Sequence, residues 1–117
     1  MKKVVFILRP PSLKFDLFGS KNRKLFSQIL LNSDLDGIIL DVGSGPVKMG
    51  NTKGLHKDIL ERRKGMDYKK YPGVDIVGSV ENIPIKDNSV AGVLFQGVIE
   101  HIENPRKAIK EIYRILR

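Results

Sequence analysis

Residues 38–46 read Ile-Ile-Leu-Asp-Val-Gly-Ser-Gly-Pro, a continuous apolar run that ends in an acid and two glycines one residue apart. A short apolar run bounded by glycines is the pattern of a strand buried on both faces, as in a parallel sheet, that empties into a tight turn. In open α/β sheets ligands bind in the crevice beyond the carboxyl ends of the strands, and glycines there let a ligand approach the backbone. A glycine pair after a strand is by itself more often a plain turn, so the weight falls on what lies downstream.

The rest of the chain alternates helical and strand patterns. Residues 1–20 read as an amino-terminal arm, with a short strand at Val4 to Leu8, a Pro-Pro break and a Gly19-Ser20 turn. Residues 21–117 form the main unit. Leu25, Phe26, Ile29 and Leu30 recur at helical spacing and predict a helix over Lys21 to Asn32. Strand one spans Gly37 to Val42. A short helix is expected from Leu55 to Arg63, ended by Gly65, then strands at Gly65 to Tyr68, Val74 to Gly78 and Ala91 to Phe95. A closing helix starts at Asn104 or Pro105, with Ala108, Ile109, Ile112, Tyr113 and Leu116 as its buried face. Strands alternating with helices imply an α/β fold with a parallel sheet.

Composition narrows the function classes. With 117 residues the chain is one domain at most, and 41% hydrophobic with 29% charged residues is ordinary for a globular protein. No apolar run reaches the roughly 20 residues that span a bilayer. The five apolar residues Val4 to Leu8 fall short of a signal peptide, so a cytoplasmic location is expected. Without cysteine there is no disulfide framework, thiolate metal site or thiol nucleophile, and no metal is expected. The net charge of +8 could suit nucleic acid, but the basic residues are spread along the chain with few aromatics between them to stack on bases. A solvated basic surface is the expectation. The densest cluster, Arg62-Arg63-Lys64 with Lys69-Lys70, is a candidate for an anionic substrate.

Several ordered motifs share one resemblance. Ile39 to Gly45, Gly65-Met66-Asp67, Tyr71 to Gly78, Glu81 to Ser89, Val98 to Ile102 and Ala108 to Leu116 together resemble class I S-adenosylmethionine-dependent methyltransferases, in the small-molecule group often labelled type 11. The resemblance covers about residues 24–117 and implies a Rossmann-like parallel sheet in the order 3-2-1-4, flanked by helices, with S-adenosylmethionine as cofactor. It implies that Gly43, Ser44 and Gly45 pass beneath the cofactor with N–H groups facing the methionine carboxylate. Asp41 would organise that loop and the amino end. Asp67 would accept hydrogen bonds from both ribose hydroxyls, Ser79 and Val80 would bracket the adenine, and Gln96 and Gly97 would line the methionine end. No catalytic residue is assigned. Glu100-His101 invites a general-base reading, but methyl transfer needs mainly positioning, and the histidine is read as structural or as a pocket wall. His56 is read as a solvated residue.

Three departures qualify the resemblance. Val47 stands where a third glycine is usual. Ser79 replaces the usual carboxylate at the adenine edge, removing an acceptor worth on the order of 1 kcal/mol. Arg117 falls where the family continues into a fifth strand, so the chain reads as the cofactor half of a truncated domain. The expected function is methyl transfer to a small-molecule acceptor, with activity of this chain alone in doubt. The alternative is a catalytically dead binding or assembly module on the half-fold; a dinucleotide oxidoreductase lacks its third glycine. An open, apolar strand-four edge predicts self-association.

Overall fold

The computed structural model describes residues 20–32, 36–45, 55–95 and 99–117. Within them, α1 (Ser20–Asn32), β1 (Ile39–Val42), α2 (Lys57–Arg62), β2 (Arg63–Asp67), β3 (Ile76–Val77), β4 (Gly92–Phe95), a 3₁₀ turn (Ile99–His101) and α3 (Pro105–Ile115) follow one another. The four strands form one sheet in the order β3-β2-β1-β4, and each pair is parallel. This is the Rossmann-like order expected from the sequence. The chain steps outward from β1 to β3 and returns to β4 on the other side of β1, so strand order reverses at the β1–β4 boundary. The Val4 to Leu8 strand lies outside the described residues.

Period-two alternation in the strands divides the core between the two sheet faces. Leu40 and Val42 of β1 pack with Met66 and Val93 against Ala108, Ile112, Ile115 and Leu116 of the α3 segment. Ile39 and Leu94 pack on the opposite face with Leu30, Leu55 and Ile59, from α1 and the α2 segment. The apolar arc of α3 is wider than the sheet it meets. Ile109 and Tyr113, expected inside, are exposed, and Ile115 takes the buried place. Leu25 of α1 is likewise exposed.

Gly65 does not end α2. That helix closes at Arg62 and the chain turns straight into β2, with the Arg63 N–H donating to the Leu60 carbonyl. Gly65 lies inside the strand, wedged between two turns. A Cβ there would sit 2.9 Å from Ser44 Oγ and 3.0 Å from the Gly73 carbonyl oxygen. Gly65→Ala is therefore expected to destabilise the fold by about 1–3 kcal/mol, read as a lower denaturant midpoint with an unchanged slope.

Two members of the basic cluster read as a candidate anion site, Arg62 and Arg63, are engaged within the fold. Arg62 donates to the Asp58 and Gly37 carbonyls. Arg63 Nε meets Asp41 Oδ2 at 2.7 Å, with side chains only 7% and 14% exposed. His56 also has structural work: its Nδ1 accepts from the Asp58 N–H to cap α2, and its own N–H donates to buried Ser27 Oγ.

The loop between β3 and β4 is fastened to α3 by Arg114. The guanidinium donates to both Glu111 oxygens, to Asp87 Oδ1, and to the Ile83 and Ile85 carbonyls, at 2.6–2.8 Å. Glu111 in turn accepts from the Ile83 N–H. Arg114→Ala removes all five bonds from a side chain 30% exposed. A loss of about 2 kcal/mol, and a fall of roughly 8 °C in unfolding midpoint, is expected.

The same clamp carries a pH dependence. The hydrogen bond from Arg114, aided by the Ile83 N–H and outweighing burial, holds the Glu111 carboxyl below its ordinary value of 4.5. A folded-state value below the unfolded one adds stability that is complete above about pH 4.5 and lost as pH falls through the lowered value. Denaturant melts from pH 7 to pH 3 should show a steeper acid loss in wild type than in Glu111→Gln.

Just before β4, Val90 forms a single parallel bridge with Leu116, and the Arg117 N–H donates to the Val90 carbonyl at 3.0 Å. No helix among the described residues is long and apolar enough to cross a membrane.

Candidate functional site

A cavity of about 670 Å³ opens beyond the carboxyl ends of the strands, where an open α/β sheet holds its ligands. Its wall runs from Val42 at the end of β1 and Gly43 after it, through Met66 and Asp67 of β2 and the following Tyr68, to Gly78–Glu81 after β3, and closes with His101–Glu103 beyond β4. Gly43, Asp67, Ser79 and Val80, which the resemblance assigns to the cofactor, all line this cavity. Ser44 and Gly45 are not among its lining residues. Asp41 alternates onto the face of β1 shared with Ile39, and its carboxylate is held by Arg63 on that side. Gln96 and Gly97 lie outside the described residues.

The glycine turn bends differently from expectation. Gly43 and Gly45 adopt positive φ angles of 69° and 59°, the left-handed region open to glycine at no steric cost. This folds the turn back onto the end of β2. The Gly43 and Ser44 N–H groups donate to the Met66 carbonyl at 2.8 and 3.1 Å, and Gly45 donates to Asp67 Oδ2 at 2.9 Å. The donors expected to face a ligand carboxylate are thus taken by the protein's own backbone and by Asp67.

Asp67 is the best-organised polar group of the wall. Its residue is 6% exposed, at the end of β2, and each oxygen has one fixed donor: Gly45 N–H on Oδ2 and Lys69 N–H on Oδ1 at 3.3 Å. A carboxylate oxygen accepts two bonds, so one acceptor position remains on each oxygen. Two such positions on one rigid group match the two hydroxyls of a vicinal diol. Next to it Tyr68 stands 70% exposed on the rim, with the Lys69 ammonium 5.3 Å from its ring.

Sequence reasoning missed Tyr68, Glu81, Ile102 and Glu103 as cavity residues. Tyr68 and Glu81 were within reach, since they follow Asp67 and Val80 directly; Ile102 and Glu103 arrive through the docking of the segment beyond β4. That docking is fixed by Glu81 Oε1, which accepts from the Asn104 N–H at 2.8 Å and so ties the two walls together. Among the described residues no three His, Cys, Asp or Glu side chains cluster as metal ligands do.

The methyltransferase-domain family model matches residues 40–117, two thirds of the chain. The chain belongs to this family. Its sheet is the arrangement of class I S-adenosylmethionine-dependent methyltransferases, and S-adenosylmethionine is the cofactor expected of a member. A probable S-adenosylmethionine-dependent methyltransferase of Mycolicibacterium smegmatis is 28% identical over 92% of this chain. A crystal structure from Methanococcus maripaludis, provisionally described as an S-adenosyl-L-methionine-dependent methyltransferase, superposes on 93% of the chain with TM-score 0.60 and 23% identity. A Thermotoga maritima S-adenosylmethionine-dependent methyltransferase, provisionally described as a histamine N-methyltransferase, covers 84% with TM-score 0.53 and 22% identity. The chain spans 44% of the length of the Mycolicibacterium relative, and 63% and 48% of the two solved structures.

Proposed function

We propose that the cavity binds S-adenosylmethionine and that the chain serves methyl transfer to a small-molecule acceptor. The observation that carries this reading is Asp67: a buried, doubly anchored carboxylate with two acceptor positions left over, on the wall of the cavity at the strand ends. Asp67 would hold the ribose diol. Gly43, leading into Ser44 and Gly45, would form the floor near the sugar, and Val80 with Ile102 would offer apolar surface to the purine. Asp41, paired with Arg63, would organise the loop that follows β1. Gln96 and Gly97 are proposed for the methionine end.

When bound, S-adenosylmethionine supplies a methyl carbon already activated by its sulfonium. The acceptor's lone pair forms the new bond as the carbon–sulfur bond breaks, the sulfur keeps that electron pair, and the acceptor's proton passes to solvent. The chain's part is positioning, holding the nucleoside so that the methyl presents in line. No proton transfer is assigned to His101, which lies exposed on the wall.

Thermal unfolding with and without S-adenosylhomocysteine tests the reading. At a hundredfold excess over the dissociation constant a ligand of the folded state adds about 2.7 kcal/mol. For a chain of this size that raises the midpoint on the order of 10 °C. An unmoved midpoint at millimolar ligand would contradict it.

A further inference from the structure

The charge of the cavity wall carries a second assignment, which rests on the cofactor reading above. The chain has 21 Lys and Arg against 13 Asp and Glu. Yet among the described residues the wall holds three carboxylates, Asp67, Glu81 and Glu103, and no Lys or Arg. Acids elsewhere in the chain are held by cations: Asp41 by Arg63, Asp87 and Glu111 by Arg114, Glu61 by Lys57. Asp67 and Glu81 take backbone N–H groups instead, from Gly45, Lys69 and Asn104. Glu103 stands exposed, and among the described residues no ion pair neutralises any of the three. The Lys69 ammonium, at the rim, lies over the Tyr68 ring at 5.3 Å. Tyr68 and His101 are the other titratable side chains facing the space.

A cavity of about 670 Å³ is roughly 11 Å across. A cation anywhere inside lies within about that distance of each carboxylate, where one unit charge changes affinity on the order of twofold even at the dielectric of water. We infer that Glu81 and Glu103, added to Asp67, make this cavity prefer the charged methyl donor to its neutral product. S-adenosylmethionine and S-adenosylhomocysteine differ only in the sulfonium methyl. When that methyl leaves, the sulfur keeps the bonding pair and loses its positive charge. A cleft lined by one sign of charge attracts the donor and releases its hold once transfer has occurred. Neither glutamate needs to touch the sulfur, because the attraction acts through space.

The test is calorimetric titration of the full chain with both ligands at two salt concentrations. At about 0.01 M, where the Debye length is about 30 Å, wild type is expected to bind S-adenosylmethionine about fivefold more tightly than S-adenosylhomocysteine. At about 1 M, where it is about 3 Å, most of that preference is expected to vanish. A preference made by contacts to the methyl group would not change with salt, and one governed by the net charge of +8 would rise with it. Glu81→Gln with Glu103→Gln is expected to bring the low-salt ratio to about twofold or less, while Glu61→Gln, on α2 and outside the wall, leaves it unchanged. A role in holding the wall alone would lower both affinities together and keep the ratio. Should Glu81→Gln fail to fold, Glu103→Gln alone is expected to cut the ratio about twofold. A low-salt ratio of one or below, a ratio indifferent to salt, or one unchanged in the folded variants would overturn this inference. Wild type that binds neither ligand would overturn the cofactor reading.

Discussion

Asp41→Ala is expected to destabilise the fold by about 3–5 kcal/mol, the cost of leaving a buried charge without its partner. The Arg63 guanidinium is 7% exposed, its Nε is 2.7 Å from Asp41 Oδ2, and its Nη2 is buried with no hydrogen-bond partner. With one nitrogen already unsatisfied, the ion pair is what keeps this side chain tolerable between the sheet and α2. Removing Asp41 turns it into a charge in a poorly hydrated site. The double variant Asp41→Leu with Arg63→Met removes both charges and fills the space, and is expected to recover more than half of the loss, since apolar replacements of whole buried pairs are often near neutral. Chemical denaturation of the two single variants and the double variant gives the coupling directly. A loss under about 1 kcal/mol for Asp41→Ala would show that the pair is solvated and structurally dispensable.

The second large effect is on binding. Asp67→Ala removes both acceptor positions proposed for the ribose diol. Each hydrogen bond to a charged group contributes about 1.5–3 kcal/mol, so the loss of S-adenosylhomocysteine affinity should be about 100-fold or more. The variant also frees the Gly45 and Lys69 N–H groups. Both lie at the turn surface, where water can replace the carboxylate, so cooperative unfolding should persist with a modestly lower midpoint. Asp67→Asn keeps one acceptor oxygen and should fall between the two.

Much of this architecture is legible in the sequence because the strongest signals are local. Ile39 to Val42 and Gly92 to Phe95 are apolar runs bounded by turn residues, and they became the central and fourth strands. Pro105 after Asn104 announces α3, and Asn104 Oδ1 does accept from the Lys107 N–H as a cap. Non-local effects explain the misses. Arg63 and Lys64 look like the end of a helix, yet they open β2, because Arg63 finds Asp41 across the sheet. Gly65 looks like a helix stop but is small because Ser44 and Gly73 press on it. The buried face of α3 depends on how much sheet lies beneath it, which periodicity alone does not contain.

The candidate site was half legible for the same reason. Gly43 and Asp67 follow apolar strands directly, so their place at the strand ends could be read from order. Ile102 and Glu103 become neighbours of that site through the bond from the Asn104 N–H to Glu81. The roles of Asp41 and of the glycine-turn N–H groups also depend on cross-strand partners, Arg63, Met66 and Asp67.

The most direct measurement is calorimetric titration of the chain with S-adenosylhomocysteine, run beside Asp67→Ala under identical conditions. The account predicts saturable one-to-one binding by wild type that weakens by about 100-fold or more in a variant that still unfolds cooperatively. Equal affinity in the two proteins, or no binding by wild type, would contradict it.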